Sequence, residues 1–207
     1  MSGRPVIDAT QLAQHAFGPR APVWWGNMLM LVIESMSMTI LAVSYFYIRQ
    51  NFHQWPPPSP HLPLVFHNPE LLFSSINIAL LLASFPLATW IDFAAKRGQA
   101  RGVRLGLVIL LLIGFVSLGL RVFEFRGLHL RWDENAYGSV VWGTLAMHFI
   151  YILGSLGEVA SITLWVFLHE WDMKHAVDVT LTAIYWNWMV VVGLLVYLLI
   201  FWVPRLL

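Results

Sequence analysis

From Trp24 to Tyr47 the chain carries one charged side chain, Glu34, inside a run of Met, Leu, Ile and Val. A run of that length spans the hydrocarbon core of a bilayer as a helix. Hydrocarbon offers the backbone no hydrogen-bond partner, so each N–H and C=O must be satisfied within the segment, and only a helix does that for a single run. Indole rings at Trp24 and Trp25 mark one membrane interface, and Tyr45, Tyr47 and Arg49 mark the other.

Four further runs follow, at about 71–90, 105–122, 137–168 and 183–203. The expected fold is therefore an all-α polytopic membrane protein, a bundle of five transmembrane helices. A polar N-terminal arm, 1–22, precedes the transmembrane domain, 23–207. Composition agrees: 58% of residues are hydrophobic and only 11% charged, against about a quarter charged in soluble domains. A net charge of +1 without basic tracts or a Gly-rich phosphate loop gives no basis for nucleic-acid binding. The absence of cysteine excludes disulfides, Cys-ligated zinc and iron–sulfur clusters. The first run is too long for a signal-peptide core and is read as retained.

An ionised carboxylate at mid-bilayer costs roughly 2.5–3.5 kcal/mol on insertion scales. Glu34 is thus protonated, paired across to another helix, or facing a wet cavity, and it is a candidate proton-related group. His148 and Ser84 are candidate partners for it. The second run places Ser74, Asn77 and Ser84 on roughly one face, the pattern of polar packing contacts between membrane helices. Pro86 is expected to kink that run. Glu124, beside Arg121 and Arg126, sits at the water boundary of the third run and would pin the helix end. In the fourth run His148, Tyr151, Ser155 and Glu158 step by three, four and three onto one face, with Gly154 and Gly157 admitting a close neighbour. Such a stripe is a proton relay or, more commonly, a hydrogen-bonded seam between helices. His53, His61 and His67 share the Pro-rich loop 50–69, but their spacing fits no compact metal site. Tyr185, Trp186 and Trp188 read as an aromatic belt opening the fifth run.

Basic residues set the expected orientation. With the N-terminus inside, the inner segments hold Arg4, Arg20, Lys96, Arg97, Arg101, Arg104 and Lys174. The outer ones hold Arg49, Arg121, Arg126, Arg131 and Arg205. The short basic loop around Lys96 points inward, which makes the N-terminus cytoplasmic and the C-terminus periplasmic.

The order of these signals resembles subunit III of the haem–copper cytochrome c oxidases, from Trp24 onward. Glu34 in Ile33-Glu34-Ser35-Met36 matches the family's mid-membrane Glu, and Trp55-Pro56 matches its Trp-Pro loop. Ile76-Asn77-Ile78 through Ser84 is similar to its Leu-Asn-Thr-like opening and Leu-rich run. Glu124-Phe125 matches the end of a Gln-x-x-Glu-aromatic signature, with Arg121 in place of the Gln. Tyr137-Gly138-Ser139 matches the next helix entry. Tyr185-Trp186-Asn187-Trp188-Met189-Val190 stands where the family has Tyr-Trp-His-Phe-Val-Asp. The family's His-x-x-His is only partly kept, as His148 and Tyr151.

The resemblance implies the five-helix bacterial form, without the first two helices of the seven-helix form. It also implies a multi-pass protein of the bacterial cytoplasmic membrane. The implied role is a non-catalytic subunit of a respiratory terminal oxidase, supporting assembly, stability and proton uptake of the catalytic subunit. Haem and copper would lie on partner subunits and none on this chain. Oxidase subunits I and II and membrane phospholipid would be its partners. A subunit-III-like accessory protein of a nitric oxide reductase belongs to the same superfamily and is the alternative. A b-type cytochrome anchor would need paired axial histidines, and only His148 lies deep. A small transporter would commonly show internal repeats, and none is found.

Overall fold

The computed structural model describes residues 18–57 and 68–206; of the Pro-rich loop, His61 and His67 lie outside them. Five helices are long and apolar enough to cross a membrane. They are α1 (Pro22–Arg49), α2 (Leu72–Lys96), α3 (Ala100–Arg126), α4 (Ala136–Leu168) and α5 (Ala176–Tyr197). The last continues through a π-helical turn, Leu198–Trp202, into the short α6 (Val203–Leu206). The chain is an all-helical, multi-pass membrane protein.

The helices overrun the apolar runs that reveal them. α2 reaches Lys96 and α3 runs from Ala100 to Arg126, beyond the expected 71–90 and 105–122. α5 begins at Ala176 instead of near 183. A hydropathy boundary falls at the first charges. A helix continues past them because long side chains carry their charge out to water from a backbone already satisfied. Pro86 lies inside α2, which continues through it. At ~1.5 Å per residue α4 is about 50 Å long, well beyond a hydrocarbon core of about 30 Å.

α2, α3, α4 and α5 close a ring in which each packs on two neighbours, α2 on α3 and α5, and α4 on α3 and α5. α1 stands outside this ring, packed chiefly on α4 and secondarily on α5. It buries only Met38 and Tyr45, and turns Leu29, Val32, Ile33, Met36, Ile40 and Val43 outward. Asn135 caps α4 by accepting from the Gly138 N–H at 2.8 Å, and Ser139 Oγ donates to the Trp132 carbonyl at 2.8 Å. Gly138 tolerates no side chain, since a Cβ there would strike the Arg131 carbonyl. Tyr137-Gly138-Ser139 therefore acts as a tightly folded helix entry.

Tyr185 and Trp186 depart from the belt reading. Both are buried, Trp186 completely. The Trp186 indole N–H donates 2.8 Å to Ser84 Oγ, which itself donates to the Leu81 carbonyl. Their position follows from α5 starting earlier than its apolar run, which draws both rings into the bundle. Near that end of α5 the Trp165 ring packs against the His169 and His175 rings.

Candidate functional site

Two polar constellations lie within the membrane-spanning helices. The first joins all four ring helices. On α3, Arg121 and Glu124 are one turn apart, and Arg121 Nη1 donates to Glu124 Oε2 at 2.6 Å. Both side chains are about 95% or more buried. The other carboxylate oxygen, Oε1, accepts from Asn77 Nδ2 of α2 at 2.5 Å. Asn77 Oδ1 accepts from Ser117 Oγ of α3 at 2.7 Å.

On the far side, Arg121 Nη2 lies 2.6 Å from His148 Nδ1 of α4. A guanidinium has only donors, so Nδ1 accepts, and the proton of a neutral ring is on Nε2. That nitrogen lies 3.0 Å from the Met189 carbonyl of α5 and donates to it. The ring fits because α5 presents Gly193 there; a Cβ at that position would lie 2.9 Å from His148 Cε1 and Nε2. Both histidine nitrogens are thus committed to protein partners. A cavity of about 10 Å³ borders Arg121, Glu124, Asn77, Ser74 and Tyr197, room for about one water. Arg121 Nε is buried beside it without a protein partner among the described residues.

The sequence reading set Glu124 at the water boundary. It is instead buried, although only one turn from the end of α3, because α2 and α4 extend past it. Arg121 is legible in the sequence as a departure from a motif and as a basic neighbour of Glu124. The i, i+3 spacing to Glu124 is the signal that pairs them.

The second constellation lies where α1 packs on α4 and α5. Tyr185 of α5 donates its hydroxyl to Glu34 Oε1 at 3.2 Å. Tyr151 of α4 donates to the Glu34 backbone carbonyl at 3.0 Å. Trp188 N–H donates to Ser35 Oγ at 3.0 Å. Glu34 Oε2 is buried with no hydrogen-bond partner among the described residues. The partners proposed from sequence, His148 and Ser84, are engaged elsewhere. Ser84 bonds Trp186 and the Leu81 carbonyl, and the His148 ring bonds Arg121 of α3 and the Met189 carbonyl of α5. Gly154 gives room to the Tyr185 hydroxyl, 3.5 Å from where a Cβ would stand; Gly157 has no such neighbour.

The α4 stripe is distributed among these contacts. His148 reaches α3 and α5, and Tyr151 reaches α1. Ser155 is buried without a partner among the described residues. Glu158 Oε1 accepts from Thr182 Oγ1 of α5 at 2.9 Å. No hydrogen bond among the described residues joins one stripe member to the next. Ser74 bonds back to the Glu70 and Leu71 carbonyls just before α2, while Asn77 and Ser84 join helices. Among the described residues, no three His, Cys, Asp or Glu side chains cluster as metal ligands.

Comparison with known proteins returns one family. A family model described as cytochrome c oxidase subunit III matches residues 4–204. A protein of Thermostichus vulcanus named cytochrome c oxidase subunit 3 is 24% identical over 183 residues, 87% of each chain. A Mycobacterium tuberculosis protein named probable cytochrome c oxidase subunit 3 is 27% identical over 86% of each chain. The subunit 3 of Lumbricus terrestris is 23% identical over 95% of this chain and 76% of its own.

Proposed function

Because the chain belongs to the cytochrome c oxidase subunit III family, a family of oxidase-complex subunits, we propose that it is the non-catalytic subunit III of a bacterial respiratory haem–copper oxidase. In this reading it packs against the catalytic subunit, and supports assembly, stability and proton uptake there. Subunits I and II carry haem and copper, and this chain carries none. Membrane phospholipid covers the apolar surface that protein leaves open. The N-terminus and the loop around Lys96 face the cytoplasm, and the C-terminus faces the periplasm.

One observation carries the non-catalytic reading. The deepest polar groups, Arg121, Glu124, Asn77, Ser117 and His148, bond one another or backbone and tie four helices together. A haem-bearing helix pair needs a histidine with a free ring nitrogen, and His148, the deep one, offers neither. The outward apolar face of α1 suits contact with a neighbouring subunit or with lipid.

Purification of the native complex on a tag at this chain tests the proposal. Subunits I and II are expected to co-purify in equal amounts. The chain expressed alone is expected to show no Soret absorption and no bound copper. A haem held at one per isolated chain, or a chain that never co-purifies with an oxidase, would overturn the reading.

A further inference from the structure

We propose that Glu34 exchanges water and protons with the aqueous phase at the N-terminal end of α1, through a cleft between α1, α4 and α5, and not with the opposite phase. Four observations meet here. A cleft of about 300 Å³ opens at that end, lined by Gly26, Asn27 and Met30 of α1, Glu158 of α4, and Asp178 and Leu181 of α5. One helical turn farther in from Met30, Glu158 and Leu181 stand Glu34, Gly154 and Tyr185, and Tyr185 is bonded to Glu34. The same three-helix seam therefore leads from the cleft to the carboxyl group.

The second observation is a pair of unsatisfied acceptors along α1. Asn27 Oδ1 and Glu34 Oε2 are buried, and neither has a protein partner among the described residues. They stand seven residues apart, so two helical turns place them on one face. Buried polar atoms without a protein partner are ordinarily satisfied by water where the site is polar and roomy enough. The third is a chain of exchangeable groups. The Thr182 hydroxyl lies 2.9 Å from Glu158 Oε1 and 3.0 Å from the Asp178 carbonyl, so its one proton serves either acceptor, and it lies on α5 between Asp178 and Tyr185. Glu158 lines the cleft and stands one helical turn from Gly154, which faces the Tyr185 hydroxyl.

The fourth observation gives the direction. Beyond Glu34 the seam opens again into a second cavity of about 410 Å³, but its lining is mainly apolar, and its hydroxyls, Ser35, Thr39 and Thr144, are already hydrogen-bonded to protein. Apolar cavities stay dry or take apolar occupants. Between the two stand Tyr151 and Tyr185, both packed against the Trp188 ring, whose N–H is tied to Ser35. Water thus reaches Glu34 from the acid-lined side and is stopped by the aromatic plug.

The chain contains no cysteine, so any label found on this chain after it is separated from its partners sits at the introduced thiol. In membranes bearing the whole complex, Glu34→Cys, Met30→Cys and Val192→Cys are each exposed to a charged, impermeant methanethiosulfonate from one side at a time. The reagent needs a thiolate, and so needs water that has taken the proton. Glu34→Cys and Met30→Cys are expected to react at least about tenfold faster from the α1 N-terminal side than the lipid-facing Ile33→Cys. From the opposite side, Glu34→Cys and Val192→Cys are expected to match Ile33→Cys. Adding Met30→Trp, which plugs the cleft, is expected to silence Glu34→Cys. Where Glu34→Cys does not assemble, Met30→Cys and Val192→Cys carry the same comparison. Equal reaction from both sides, a Met30→Cys no faster than Ile33→Cys, or a Val192→Cys as fast as Met30→Cys would overturn the inference. Co-purification with oxidase subunits is untouched by any of these results.

Discussion

His148 of α4 accepts a hydrogen bond on Nδ1 from Arg121 of α3 at 2.6 Å, which leaves its proton on Nε2, facing the Met189 carbonyl of α5 at 3.0 Å. One ring thereby fixes three helices, and its tautomer follows from the guanidinium having no acceptor. The relationship explains why a histidine can lie fully buried among apolar helices.

Arg121 and Glu124 should behave as a unit. Removing one partner leaves a buried charge without compensation, at about 3–5 kcal/mol, while replacing both with apolar groups of similar volume is often nearly neutral. Arg121→Met and Glu124→Met are each expected to lower the unfolding midpoint of the detergent-solubilised chain strongly, and the double variant to recover part of it, since His148 Nδ1 and Asn77 Nδ2 still lose their partners. A double variant as unstable as the sum of the singles would separate the two residues.

Gly193 should resist enlargement. A Cβ would lie 2.9 Å from the His148 ring, and overpacking of this kind costs typically about 1–3 kcal/mol. Gly193→Leu is expected to reduce the yield of assembled complex, and His148→Ala in the same chain to restore part of it by opening the space.

Glu34 should tolerate loss of charge better than loss of shape. Glu34→Gln keeps an oxygen to accept from Tyr185, whereas Glu34→Ala leaves that hydroxyl without its partner, at about 1–3 kcal/mol. The Tyr151 bond goes to the backbone carbonyl and survives either change. The Gln variant is expected to assemble at the wild-type level and the Ala variant to assemble less. A fully assembled Gln complex with markedly slowed turnover would place Glu34 in proton traffic.

Orientation is open to a direct measurement. A reporter fused at Arg205 is expected outside the cytoplasm and one in the loop at Arg97–Gly98 inside, because five spans separate the termini and that loop carries the basic excess. A cytoplasmic signal from Arg205 would contradict the inward assignment of the basic loop.

The sequence by itself determined that the chain crosses a membrane, that it does so five times, and that its spans are helices. Those properties rest on one-dimensional quantities. A long apolar run has a single way to satisfy its backbone in hydrocarbon, and the five runs are separated by polar loops. The same reading found Glu34 and His148, because ionisable residues are rare at such depth and stand out singly, and it found Glu124 as a charged neighbour of Arg121 and Arg126.

Which of these groups meet was decided by tertiary structure alone. Hydropathy has no term for the direction in which a helix face points once four helices close a ring and a fifth leans on its outside. Arg121 therefore finds His148 across α4, and Glu34 finds Tyr185 of α5 instead of His148 or Ser84. The order of the family motifs along the chain is legible residue by residue. Their depth is not, since Glu124 near a helix end is buried only because α2 and α4 run past it. Partnership between side chains distant in sequence depends on rotation and register of rigid helices, and a single chain of letters carries that information only through the packing it finally adopts.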